Sequence, residues 1–584
     1  MTLMKREWHS QRSYIVMNDF NRITQIKFLT LGVLLTSLFG CQQAESVKPS
    51  ESNSSYYGTT LPFASEAVYF LMTDRFVDGD PDNNYPEQGG DFPTYQRPLI
   101  GSDGRKAYVG YMGGDFKGIL EYADYIQGMG FTAIWLTPIV DQPNEAFSGG
   151  EPITFGGAFK DGGKTGYHGY WGVNFYQVDE HLSSADLSFQ QLTQSLKEKF
   201  QIKTILDVVS NHGSPAFSMP ETRDRFGKIY DQNNRLIADH QNVLPENLDP
   251  KNPLHAFFNP QKDIAQLADF NQDNPQVMEY LVGAYLHWIE QGADAFRIDT
   301  IKHMPHSFWK AFTDRIRAIH PDFFMFAESY SFDAEFIGQH TLAKNGSIRV
   351  LDFPGREAMI KVFENKDSDY KELLNYLHLT QGPYANPYEL MTFYDNHDMA
   401  RMSTDEQGFI DAHNWLFSSR GIPVVYYGSE IGFMAGAKEH EGNRNYFGRE
   451  NIEKAKQHPV KLALEKIAQA RKNSIALQKG LQVNVEFSGD TAVFYRVYQH
   501  QGVNQTALVL LNKGDNKQQF TVSQFLQAGQ WKNAFNDEAV DVQIGQSFTA
   551  EVDAHGVGVY LYDLPVNNEA MLSALNILMI EKVR

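Results

Sequence analysis

The chain has 584 residues, 42% of them hydrophobic, 21% charged and 13% aromatic, with 46 Gly and 24 Pro. That balance excludes disorder, collagen and coiled coil, and the length excludes a single core, since cores stop growing near ~250–300 residues. A formal charge of -20, from 51 Lys+Arg against 71 Asp+Glu, argues against a nucleic-acid partner, and a lone cysteine excludes an internal disulfide or a thiolate metal cluster.

At the N-terminus, Arg22 and Lys27 precede an apolar run over 28–39 that ends in Leu38-Phe39-Gly40-Cys41. The run is shorter than the ~20 residues a membrane-spanning helix needs and suits a signal h-region. Its end resembles the lipobox of bacterial lipoproteins. The expectation is a signal peptide over 1–41, lipidation of Cys41, a flexible tether over 42–60, and export from a bacterial cytoplasm with membrane contact through the lipid alone. The alternative is cleavage elsewhere, leaving a periplasmic or secreted protein.

After residue 60, short apolar runs alternate with longer helical ones. Strands are expected at 68–72, 131–136, 203–209, 293–298, 323–327, 348–353, 390–393 and 424–427. Helical periodicity lies between them, as over 275–290, where Val277, Leu281, Ala284 and Trp288 share a face after Asn274-Pro275. Eight such units over roughly 400 residues predict an α/β fold, a (β/α)₈ TIM barrel. The barrel is read as 61–212 and 269–472, interrupted after strand 3 by an inserted subdomain over 213–268 rich in Pro, Asn and Asp. The period then changes, and 473–565 reads as an antiparallel β-sandwich, followed by a weakly helical tail over 566–584. The molecule is expected to be a monomer.

Carboxylates recur at the ends of successive strands: Asp207 and Asn211-His212, Arg297-Ile-Asp299, Glu328, and Asp395-Asn-His397-Asp398. One such acid is usually a cap or a solvated loop residue. Four strand ends presenting carboxylates at one mouth repel each other, so such crowding is costly unless function requires it. Arg297 and Asp299 point to one face, so the guanidinium holds the carboxylate ionised, as a nucleophile needs. Glu328 follows the apolar run Phe323-Phe-Met-Phe-Ala, which favours a protonated general acid. That pairing is what retaining glycoside hydrolysis requires.

These motifs, with Ala295-Phe-Arg-Ile-Asp-Thr-Ile-Lys-His303, Phe326-Ala-Glu328, Phe393-Tyr-Asp-Asn-His-Asp398 and Gly421-Ile-Pro-Val-Val-Tyr-Tyr-Gly-Ser-Glu430, resemble the α-amylase family, glycoside hydrolase family 13, over nearly all of 60–563. The resemblance implies Asp299 as nucleophile, Glu328 as general acid/base and Asp398 as the carboxylate that stabilises the transition state. It places Asp207, Arg297, His212 and His397 around the sugar at the cleavage point, with His168, Tyr170 and Trp171 of Tyr167-His-Gly-Tyr-Trp171 as platform and hydroxyl ligand. Lys302 and His303 fall on the leaving-group side, and Arg444 on a distal glucose. The implied activity is α-amylase-type cleavage of internal α-1,4 bonds in starch, glycogen or maltodextrins. Cyclomaltodextrin glucanotransferase and cyclodextrin or maltodextrin hydrolase are the alternatives, and a non-catalytic glucan-binding lipoprotein a remote one.

The resemblance also implies Ca²⁺. One ion would take Asp78, Asp80, Asn83, Asn84, Gly113 and Asp115, an oxygen-rich set; a second would take Asn211, Asp269 and the backbone of His303. Four departures bear on specificity. Ala265 stands where cyclodextrin-forming enzymes carry an aromatic residue, and a single β-domain follows the barrel, both favouring hydrolysis. His440 stands where an acid usually precedes Arg444 by four residues, and Ser329 replaces a frequent tryptophan. Gly162-Gly-Lys-Thr165 lacks the glycine and preceding strand of a phosphate loop and reads as a loop at the barrel mouth. His168, His212 and His397 lack zinc spacing.

Overall fold

The computed structural model describes residues 55–582 except 158, 159, 381 and 537; the signal peptide, Cys41 and the tether as far as 54 lie outside the described residues. The eight apolar runs form one parallel sheet. Its strands are β1 (Val68–Leu71), β2 (Ala133–Leu136), β3 (Lys203–Val208), β4 (Ala295–Ile298), β5 (Phe324–Ala327), β6 (Arg349–Val350), β7 (Met391–Thr392) and β8 (Ile422–Tyr426). They lie in the order β6-β5-β4-β3-β2-β1-β8-β7. A parallel bridge between Leu351 and Met391 joins the two outer strands and closes the barrel. Strands covered on both faces must be apolar throughout, and every residue of β1, β2, β4, β5 and β8 is buried. Phe70 stacks on Trp135 with ring centroids 3.8 Å apart.

The helix Pro275–Glu290 forms as its sequence directs: the Asn274 side chain accepts from the Gln276 amide, proline occupies the first turn, and Val277, Leu281, Ala284 and Trp288 are buried. Beyond β3 the chain leaves the barrel at His212 and returns at Asp269. Those two residues are paired across the antiparallel strands His212–Pro215 and Leu267–Asp269. The excursion between them carries a hairpin, Lys228–Tyr230 with Leu236–Asp239, so residues at its root are held at the barrel mouth.

After the barrel, β9 (Leu481–Ser488), β10 (Thr491–His500), β11 (Val503–Asn512), β12 (Gln518–Val522), β13 (Gly529–Asn533), β14 (Ala539–Val542), β15 (Phe548–Val552) and β16 (Gly556–Tyr562) follow. Six make an antiparallel sheet ordered β9-β10-β11-β16-β13-β14, and β12 pairs with β15. Side chains alternate along β10: Ala492 and Phe494 join the barrel's core, Phe494 lying 5.8 Å from Trp415, while Val493 and Tyr495 join Trp531 and Phe548 in a second core. The tail forms the helix Glu569–Lys582, with Met571 and Leu575 buried in that second core. Among the described residues no helix is long and apolar enough to cross a membrane.

Candidate active site

The strand ends meet on one guanidinium. Register places Arg297 of β4 beside Asp207 of β3 and Phe326 of β5. Its Nη1 donates to Asp207 Oδ1 and to Asp299 Oδ1, each at 2.8 Å, and its Nη2 donates to Glu328 Oε2 at 2.8 Å. All four side chains are buried. Asp207 also accepts from Trp135 Nε1 (3.0 Å) and the Tyr170 hydroxyl (2.9 Å). Thr300, directly after Asp299, has φ +48°, a left-handed conformation rare for a β-branched residue, and it swings 301–303 out of the strand direction. Trp309 Nε1 pins that turn by donating to the Ile301 carbonyl at 2.7 Å.

Burial pushes Glu328 up to about 8 against the pull of Arg297, with Asp398 and Asp299 adding repulsion. Burial likewise lifts Asp207 to about 7 against Arg297. Asp398 is raised by burial and opposed by Arg444, whose Nη2 donates to its Oδ1 at 2.6 Å. His168 and His397 are driven well below the ordinary histidine range, by burial first and then by Lys164 for His168 and Arg444 for His397. His212 is lowered by burial. Neutral imidazoles are hydrogen-bond partners for hydroxyls.

Asp299, Glu328, Asp398 and the three histidines line a cavity of about 580 Å³, together with Tyr170, Trp171, Lys302, His303 and Arg444, whereas Asp207 and Arg297 lie outside its lining. Tyr170 stacks on His397 at 5.3 Å and 8°. Trp171 packs mainly outward, in a small core with Phe147, Met219 and Phe226. Lys302 is exposed at the rim, its Nζ donating to the Tyr330 carbonyl at 2.9 Å. Several lining residues were missed by sequence reasoning, among them Glu439, Lys164 and Asp263. Glu439 is next to His440: its Oε1 lies 2.9 Å from Arg444 Nη1 and 3.5 Å from Lys164 Nζ, and although burial opposes it, those two cations hold its carboxyl well below the usual range. Lys164, in the glycine-rich loop, also pairs with Asp161 at 2.6 Å. Asp263 stands between Asn211 Nδ2 (3.1 Å) and His303 Nδ1 (3.0 Å). The acids flanking His440 were the one signal that could have found Glu439.

Both oxygen-rich clusters fit a hard cation in part. In the first, Asn84 Nδ2 donates to Asp78 Oδ2 at 2.9 Å, while the Oδ1 atoms of Asn83 and Asn84 are buried without a hydrogen-bond partner. A Cβ on Gly113, at φ +90°, would fall 2.2 Å from Asn84 Oδ1, so only glycine leaves that space open. Asp80 is turned to Lys117 at 3.0 Å, and Asp115 caps the helix Phe116–Glu121 and accepts from the Gly79 and Asp80 amides. In the second cluster, Asn211 Oδ1 is buried and unpartnered beside Asp263, and Asp269 accepts from Asn259 Nδ2 at 2.7 Å. A third group, Asp179, Glu180 and His181, is closed on itself by His181 bonds to Asp179 (2.7 Å) and Gln88 (3.0 Å).

Residues 70–474 match the model of the α-amylase catalytic domain. The chain is 28% identical over 534 residues to a cyclomaltodextrin glucanotransferase of Klebsiella oxytoca, covering 83% of this chain and 75% of that one. It spans only 65% of a similarly named relative from Bacillus sp. (strain 38-2). Among solved structures, an α-amylase from Geobacillus thermoleovorans complexed with acarbose matches with TM-score 0.65 and 26% identity, over 86% of this chain and 99% of that one. CldA, a cyclomaltodextrin glucanotransferase with a three-domain ABC distribution, matches with TM-score 0.67 and 28% identity over the same shares.

Proposed function

The chain belongs to the α-amylase family of glycoside hydrolases, family 13, and from that premise we propose that it hydrolyses α-1,4-glucans with retention of anomeric configuration. The observation that carries the reading is the Arg297 hub, which presents Asp299 on one nitrogen and Glu328 on the other. Asp299 attacks the anomeric carbon as the bond to the leaving oxygen breaks, and Glu328 gives that oxygen its proton. Glu328, now a carboxylate, takes a proton from water, whose oxygen displaces Asp299. Asp398 and the neutral histidines hold the ring's hydroxyls, and Asp207 keeps Arg297 oriented from below.

Transfer to another sugar uses the same carboxylates, and relatives named glucanotransferases make it the second reading. The single β-domain does not separate the two, because CldA shares the three-domain plan. Ala265 supports hydrolysis: it lines the cavity where a bulky ring would hold a folded-back chain. Timed chromatography of amylose products tests this. Linear malto-oligosaccharides from the first time points support the reading, and cyclic products dominating early overturn it. We further propose Ca²⁺ at the two asparagine-rich clusters, where it would supply structural cross-linking, and export with lipidation at Cys41, tested by labelled palmitate uptake that Cys41→Ser abolishes.

A further inference from the structure

Two imidazoles that do not line the catalytic cavity lie together behind the segment that follows Glu328. His306 opens the helix His306–Ile319, and His340 stands in the turn Gln339–Thr341. Their ring centres are 4.8 Å apart and their planes are tilted by 62°. His340 is only 3% exposed, and its Nε2 lies 3.2 Å from the hydroxyl of Ser329, the residue directly after Glu328. With Nε2 donating there, Nδ1 is left as an acceptor, and that Nδ1 is buried without a hydrogen-bond partner. The Nδ1 of His306 is buried and unpartnered as well, so the two rings do not satisfy each other. Buried nitrogens left unpaired are costly, and two side by side call for a shared partner.

We propose that His306 and His340 form a binding site for one divalent transition-metal ion that prefers imidazole nitrogen, Zn²⁺ being the type, with water completing its coordination. The separation fits: an ion that holds two imidazoles at about 2.1 Å in a roughly tetrahedral arrangement keeps their ring centres roughly 5 Å apart. The donor set selects the ion. Among the described residues neither ring is paired with a carboxylate, which suits Zn²⁺ and excludes Ca²⁺, a cation that takes oxygen. A ligating imidazole must be neutral, and burial keeps both rings so: it pushes His340 down to about 4, with His306 adding, and lowers His306, with Lys344 adding. A ligating histidine also needs its second nitrogen held, and the Ser329 hydroxyl does that for His340. The backbone on both sides is fixed, since the Ile348 amide donates to the His340 carbonyl at 3.0 Å and the Phe308 amide to the Pro305 carbonyl at 3.0 Å. His306 is half-buried and leaves the ion a way in. Once bound, the ion would tie the helix His306–Ile319 to the segment that carries Glu328.

The site stands independently of the α-glucan reading, and zinc binding tests it. Purified full chain is stripped of metal and returned to excess Ca²⁺, so that the oxygen-rich clusters are filled. Equilibrium dialysis against Zn²⁺ then compares wild type with His306→Gln, His340→Gln and the double variant. Glutamine at 340 can still donate to Ser329 but offers no Nδ1. Wild type should hold one Zn²⁺ per chain that each single variant binds at least about tenfold more weakly. The double variant should lose no more than either single one, because a shared ion is lost once. Zn²⁺ should also raise the melting temperature of wild type and not that of His306→Gln. Zinc binding unchanged in His306→Gln overturns the site, as a water bridging the two nitrogens would produce; so do losses that add in the double variant, which would mean two separate ions. Where His340→Gln fails to fold, His306→Gln, at a half-buried position, decides alone.

Discussion

Glu328→Gln tests the division of labour between the two carboxyls most directly. The amide keeps the shape and can still accept from Arg297 Nη2, which now lies 2.8 Å from Glu328 Oε2, but it cannot give a proton. With its carboxyl at about 8, about 90% of wild-type molecules carry the acid proton at pH 7, against roughly 0.3% for a glutamic acid at an ordinary ~4.5. Burial therefore raises the working acid some 300-fold. General acid catalysis contributes about 10²–10⁴ in rate, so Glu328→Gln should lose on that order on amylose. On α-maltosyl fluoride, whose leaving group needs no proton, the formation of the glycosyl-enzyme should be nearly spared. Asp299→Asn should lose on both substrates alike, because the nucleophile is missing whatever departs. Wild-type kcat/KM should fall as pH rises through about 8 as Glu328 loses its proton, and that limb should be missing in Glu328→Gln on the fluoride. Equal losses on both substrates in Glu328→Gln, or a wild-type rate flat from pH 6 to 10, would refute the assignment.

Exhaustive chelation should lower the melting temperature and added Ca²⁺ should restore it, by about 2.7 kcal/mol at one hundred times the dissociation constant; calorimetry showing no shift would count against both asparagine-rich clusters. Glu439→Gln strips the carboxylate from buried Arg444 and Lys164, so it should cost about 3 kcal/mol or more of stability and raise KM for maltodextrins. An unchanged denaturation midpoint would show that those cations find other partners. His555 is pulled up to about 9 chiefly by its hydrogen bond to Asp411, against burial, with Asp515 adding. Its raised value means that its contribution is complete below about pH 6.5 and disappears as pH rises through 9. Denaturation followed from pH 6 to 10 should show that loss, and His555→Gln should flatten it; a slope identical in the variant would rule the pair out.

The barrel was legible because its strands are buried on both faces, which forces apolar runs too short for helices. All eight runs became strands, and the helix over 275–290 took both its start and its buried face from residues named in advance. The C-terminal sheet was legible through its period: Val493 and Tyr495 alternate with Ala492 and Phe494, and the two sets enter different cores. What no pattern could give was the closure of the barrel through one bridge at Leu351 and Met391, since β6 and β7 are the shortest strands and carry the weakest signal.

The carboxylates of the candidate site were legible for a related reason: they sit at strand ends, where the chain's direction is fixed by the sheet and a motif maps to a place. The residues that were missed come from loops. Glu439, Lys164 and Asp263 reach the cavity from three segments whose spacing carries no period. The shift from position 440 to 439 shows why. A strand slipped by one residue turns its side chain to the opposite face, but a loop can slip by one and still deliver a carboxylate to Arg444. His440 then falls beside it, its Nε2 3.1 Å from Glu439 Oε1. The charge of Glu439 reaches Arg444, and Arg444 in turn reaches Asp398, so positional matching finds the carboxylates at the strand ends and overlooks the groups that hold Asp398 in place.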